Sequence, residues 1–181
     1  MTIFPRGRRT LALVLLAALS GVAACESSST GQPVSAGRLS PADLNWLDQI
    51  HQADMAEVAA GELAETNGGT AGVRAAGAML VHDHSAFDAK VVQVATKLRV
   101  NLVTHLTAEQ YAASDELGKE LGSEFDHNFT AAMMTGHQKM IAATETEIQR
   151  GSSPLVVSLA RQALPELEKH LRTVRAVAGS G

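Results

Sequence analysis

Only one cysteine, Cys25, occurs among the 181 residues. Neither an internal disulfide nor a thiolate metal cluster can be built from it. Aromatic residues make up 3 % of the chain, and the apolar content is mostly Ala, Val, Leu and Met. Such a core suits closely packed helices better than sheets, and no stretch shows the alternation of a strand. An excess of positive charge is missing too. Lys and Arg number 15 against 19 Asp and Glu, which by sign disfavours a nucleic-acid partner.

The first residues carry Arg6, Arg8 and Arg9, then an apolar run from Leu11 to Leu19, then small residues leading into Cys25. A spanning helix needs about 20 apolar residues, so this run reads as a cleaved secretory signal rather than a permanent span. The segment Val22, Ala23, Ala24, Cys25 resembles a bacterial lipobox, which makes Cys25 the expected lipid acceptor over a signal of residues 1–25. Arg8 and Arg9 also resemble a twin-arginine export signal. Residues 26–39 are rich in Ser, Gly and Gln and read as a flexible tether. The expected location is extracytoplasmic, in the cell envelope, with the membrane as partner through the lipid. The sequence does not identify a protein partner.

Residues 40–178 read as one domain. Ser40, Pro41 and Asp43 form a helix start, and Asn67, Gly68 and Gly69 a stop. The second helix follows Thr70, with a seam at Val73, Ala76, Leu80, His84, Phe87, Val91, Val94 and Leu98. Thr107 and Gln110 open a short helix that ends near Gly118. Ser123, with Asp126 three residues on, is expected to cap a longer helix to Gln149. The last runs from Pro154 to Val177, and Pro165 inside it predicts a kink or break. No repeat is evident in the residues themselves. The expected fold is all-α: an antiparallel up-down-up-down four-helix bundle of the ferritin-like type, with the short helix in the connection between helices two and three.

Each long helix offers one inward histidine. His51 shares a face with Leu44, Leu47, Met55 and Val58, and His137 shares one with Met133, Met140 and Thr144. His84 and His170 lie in the other two seams. His51 lies 17 residues before Gly68 and His84 16 after it; His137 lies 15 before Ser152 and His170 18 after it. With both turns at one end, the four fall in one layer to within about a helical turn. A buried imidazole needs partners for both nitrogens, and a metal ion satisfies several rings at once while nearby carboxylates fix their orientation. The expected ligands are His84, His137, His170, Glu57 and His51, with Asp83, Asp54 and Glu166 in support. Met55, Met79, Met133 and Met140 add thioethers suited to Cu(I), although methionine also fills gaps between helices. His with carboxylate suits Zn, Fe or Mn. Di-iron carboxylate proteins carry two Glu-x-x-His pairs, whereas this chain has only Glu124 to His127. A binding role is therefore favoured over oxidase or ferroxidase chemistry. The remaining alternative is a non-catalytic envelope protein whose polar layer only fixes helix register and whose surface binds a partner.

Several of these segments together resemble the bacterial family DUF4142. They are Ala53 to Leu63 with Glu57, the run Met79 to His84, Phe125 and Asp126 followed by His137, and Leu164 through Leu171 with His170. The resemblance implies a ferritin-like helical bundle in the envelope and no settled activity. It singles out Glu57, Asp83, His84, Asp126, His137 and His170, with His51 and His82 as additions of this chain. Asp126 lies 11 residues from His137, about 16 Å along the axis, and is expected to cap its helix or bind elsewhere.

Overall fold

The computed structural model describes residues 39–179, so the signal, Cys25 and nearly all of the tether lie outside the described residues. Five helices form: α1 (Pro41–Asn67), α2 (Ala71–Leu98), α3 (Ala108–Leu117), α4 (Gly122–Arg150) and α5 (Pro154–Ala178). No strand occurs among the described residues, and none of their helices is long and apolar enough to cross a membrane.

Local chemistry explains the boundaries. Ser40 and Asp43 form a reciprocal capping box with Pro41 at the first turn, and Thr107 and Gln110 do the same for α3. Thr70 and Ser153 cap α2 and α5, each satisfying an amide that the first turn leaves open. The expected Ser123 cap does not form. Helix α4 begins two residues earlier, behind Leu121, with no side-chain cap, and Gly122 takes a left-handed φ of 62°. Only glycine adopts that conformation without strain, and a Cβ on the neighbouring Gly69 would lie 2.8 Å from Gly122 backbone. Helix α5 continues without a break through Pro165. Pro165 is exposed, so water can satisfy the carbonyl one turn earlier that its missing N–H leaves free.

Asp126 is not a cap for its own helix. Its carboxylate accepts hydrogen bonds from Gly69 N at 2.7 Å and Thr70 N at 2.9 Å, in the α1–α2 turn. Asp43, at the start of α1, accepts from Ser152 N and Ser153 N, in the α4–α5 turn. The two turns therefore sit at opposite ends of the domain, which corrects the up-down-up-down expectation. The chain runs up, down, down, up. Each long helix is about 40 Å long. Residues 99–121, which include α3, are enough chain to climb that length. Helix α1 packs on α2 and α4, and α5 on α4 and α2; each of these neighbouring pairs is antiparallel.

The reciprocal clamps expose a repeat that the residues alone conceal. Asp43 and Asp126, Trp46 and Phe129, Ile50 and Met133, Asp54 and His137, Thr70 and Ser153, Val73 and Val156, Leu80 and Ala163, and Val91 and Val174 are all separated by the same 83 residues. Ser40-x-x-Asp43-x-Asn45 returns as Ser123-x-x-Asp126-x-Asn128. The domain is built of two helical hairpins in matching register that face each other. Its core is correspondingly double. One cluster gathers Trp46, Leu47, Ile50, Val91, Val156 and Leu159, and the other Phe129, Met133, Val174, Val73, Ala76 and Leu80. Full burial of a large apolar side chain stabilises by about 1.5–3 kcal/mol, so each cluster is a substantial core by itself. On every long helix at least one buried polar residue lies between the two clusters.

Candidate metal centre

The polar stretch between the cores is formed by Asp54 and Glu57 on α1, His84 on α2, His137 on α4 and His170 on α5. All five are buried: Asp54 and His137 are 0 % exposed, His170 2 %, His84 3 % and Glu57 5 %. The three rings are mutual neighbours, with centroids 5.0 Å apart for His84 and His170, 5.5 Å for His137 and His170, and 5.6 Å for His84 and His137. One ring nitrogen from each lies within 4.8 Å of the other two.

Each ring is anchored by one nitrogen. His84 Nδ1 lies 2.7 Å from Asp54 Oδ1, His137 Nδ1 donates to the Met133 carbonyl at 2.9 Å, and His170 Nε2 lies 3.0 Å from Asp83 Oδ2. An acceptor at one nitrogen fixes the proton there and leaves the other nitrogen as a lone-pair donor. Those other nitrogens, His84 Nε2, His137 Nε2 and His170 Nδ1, are buried without a hydrogen-bond partner, as is Glu57 Oε2. Glu57 Oε2 lies 2.7 Å from His84 Nε2 and 3.3 Å from His137 Nε2 and faces both rings as their charge partner. Native interiors rarely leave one such atom unsatisfied, and here four converge.

Charge is balanced inside the layer. Burial alone would lower the pKa of His84, but the Glu57 charge and the Asp54 hydrogen bond outweigh it and raise the ring to about 10. Burial alone would raise Glu57, and the charge on His84 outweighs that and lowers it. Burial pushes Asp54 up to about 7, its contacts with His84 offsetting only part of the rise. Burial also lowers His170. Without a metal ion the layer thus holds an ion pair of Glu57 with protonated His84, and an incoming cation displaces that proton.

The structure therefore brings together His84, His137, His170 and Glu57, with Asp54 and Asp83 as orienting groups. His51 does not join them; its Nδ1 pairs instead with Asp88 Oδ1. The expected four-histidine layer is reduced to three because the rotation of α1 turns Asp54 and Glu57, not His51, toward the rings. Glu166 stands outside the layer near Asp83 and His170. Met133 and Met140 belong to the apolar cores, and Met79 packs against one of them. The sequence reading did not identify Asp88. Its proximity to His51 follows from folding α1 and α2 back about Gly68. Nor did it identify the Met133 carbonyl, which has no signal in residue type.

A cleft of about 280 Å³ reaches the layer between α2 and α5. It is lined by Asp54, Asp83, His84, Phe87, Glu166 and His170 among others.

The sequence matches the family described as Domain of unknown function (DUF4142) over residues 28–177. No curated protein matches. Among solved structures, a crystal structure of a DUF305 fragment from Deinococcus radiodurans superposes with a TM-score of 0.70 at 15 % identity, over 79 % of this chain and 99 % of that one. At that identity the likeness is one of fold.

Proposed function

The chain belongs to the DUF4142 family, and we propose that it is a lipid-anchored, metal-binding protein of the cell envelope. The observation that carries the metal reading is the buried cluster of His84, His137 and His170, one ring nitrogen of each within 4.8 Å of the others, with Glu57 Oε2 beside two of them at 2.7 Å and 3.3 Å. His84, His137, His170 and Glu57 would supply three imidazole nitrogens and one carboxylate oxygen. Asp54, Asp83 and the Met133 carbonyl would hold the rings in place from behind, as partners of metal-bound histidines do. This donor set suits Zn, Fe, Mn or Cu(II). The thioethers of Met79, Met133 and Met140 sit among the apolar cores, which argues against a Cu(I) site. Four protein ligands leave little room for a reacting group, so binding rather than turnover is the role. The single long crossover between two hairpins is the connectivity of ferritin-like bundles and supports that description of the fold.

Metal analysis of full-length protein purified from its native envelope tests the reading. The expected result is about one transition-metal ion per chain, lost when His84 and His137 are both replaced by alanine. Wild-type protein that retains none of the four metals, even after incubation with each, overturns it.

The envelope location rests on Arg6, Arg8, Arg9 and the lipobox-like approach to Cys25. Cys25→Ala is expected to move the protein from the membrane fraction to the soluble one, read by fractionation and immunoblot. A variant that remains in the membrane fraction contradicts lipid attachment.

A further inference from the structure

We infer that Asp83, Glu166 and His170 form an outer cation station at the mouth of the cleft, through which a divalent metal ion passes to and from the buried layer. This rests on the metal reading of that layer. One ligand atom from each of the three lies within 4.8 Å of the others, and the group is more than a patch of surface acid. His170 is 2 % exposed and faces both ways. Its Nε2 meets Asp83 Oδ2 at 3.0 Å on the cleft side, while its Nδ1 is buried and unpartnered. His84, whose Nε2 faces Glu57 Oε2 at 2.7 Å in the buried layer, lines the same cleft. The outer carboxylates and the inner nitrogens thus lie along one cavity, and His170 serves each in turn, its proton resting on Nε2 when Nδ1 is the donor and on Nδ1 when Nε2 is.

The need for such a station follows from burial. No inner ligand is more than 5 % exposed, and a hydrated divalent ion gives up its water reluctantly unless donors replace it step by step. A cleft of about 280 Å³ has room for an ion with several waters, since each occupies about 30 Å³. The outer acids already attract a cation. Lys169 Nζ lies 3.1 Å from Glu166 Oε2 and 3.5 Å from Asp83 Oδ2, and its half-exposed side chain can swing away on a flexible stem. The ammonium stands where a metal ion would first bind, so an arriving ion must displace it. Asp83 and Glu166 are also 83 residues apart. They occupy matching positions on the two hairpins, which is why carboxylates from α2 and α5 flank one opening.

Cobalt(II) alone is the probe, added to metal-free full-length protein and followed by visible absorbance in stopped flow. Glu166 makes no contact with His170 in the hydrogen-bond pattern, and its side chain is half exposed, so Glu166→Gln keeps the fold and the ring orientation. It is expected to slow cobalt uptake about tenfold and to slow release into excess chelator by a similar factor, because a passage acts in both directions. Lys169→Met is expected to speed uptake at least threefold. Glu168→Gln, which removes an exposed charge on α5 paired with Arg172, is expected to leave both rates unchanged. The proposal is overturned if Glu166→Gln and Lys169→Met match the wild type, or if Glu168→Gln slows uptake as much as Glu166→Gln. Failure of wild-type protein to take up cobalt overturns the metal reading of the layer and this inference with it.

Discussion

His84→Ala is expected to abolish metal retention and, in metal-free protein, to lower the unfolding free energy by about 3–5 kcal/mol, the range for removing one partner of a buried ion pair. The ring sits between Asp54 Oδ1 and Glu57 Oε2, each 2.7 Å away, and all three residues are buried. Alanine leaves two carboxylates in an apolar interior without their cation, so either the proton uptake that neutralises them or the charge itself must be paid for in stability. Urea unfolding in the presence of chelator separates this loss from the loss of bound metal. The comparison is His51→Ala. His51 pairs with the partly exposed Asp88, and a pair of that kind contributes about 1 kcal/mol or less. Its metal content should match the wild type. A loss at His84 below about 1 kcal/mol, or metal retained without it, would show that the ring is neither the counter-charge nor a ligand.

The second large effect concerns the ends of the domain. Asp43 receives the backbone N–H and hydroxyl of Ser40, the backbone N–H and hydroxyl of Ser152 and the backbone N–H of Ser153. Asp43→Ala removes the acceptor that these donors share and should cost about 3 kcal/mol. Asp126→Ala removes the matching clamp at the other end. That clamp is exposed and has two donors, so about 1 kcal/mol is expected. Burial works to raise the pKa of Asp43, but hydrogen bonds from Ser40, Ser152 and Ser153 outweigh it and hold the carboxyl well below the usual range. A carboxyl depressed in the folded state contributes fully above its unfolded value of about 3.9 and loses that contribution as pH falls toward the folded value. The gap between wild type and Asp43→Ala should therefore be constant from pH 5 to 6 and narrow below about pH 4. Glu147, raised to about 7 by burial and by its contact with Asp43, stays neutral across that window. Equal losses for Asp43→Ala and Asp126→Ala, measured by denaturant titration at each pH, would contradict the difference in burial.

Helix existence and helix ends were legible because caps and stops are local: Ser40 with Asp43, Thr107 with Gln110, and glycines at 68 and 151 all act within one turn. The polar layer was legible because His84, His137 and His170 interrupt apolar seams. Chain direction was not. Equal distances from two turns place residues at one height only if the turns share an end, and nothing in residues 99–121 states which way they travel. The layer survived that error because each histidine lies near the middle of its helix, where counting from either end gives a similar height. His51 was misplaced for a different reason. On α1 both His51 and Asp54 face inward by periodicity, and only the rotation fixed by packing against α2 and α4 decides which of them meets the rings. The repeat stayed hidden because it is weakest in the layer itself, where Asp54 answers His137, Glu57 answers Met140, His84 answers Leu167 and Phe87 answers His170.

Those mismatched pairs are what a covalent join between the two hairpins permits. A symmetric dimer of identical hairpins presents every side chain twice, so a central pocket would receive its donors only in matched pairs. Joined through residues 99–121, the halves keep the interlocking clamps of such a dimer while each position near the axis is free to differ from its counterpart. An odd number of imidazoles, with one carboxylate opposite a methionine, is an arrangement that twofold symmetry forbids and a single chain allows.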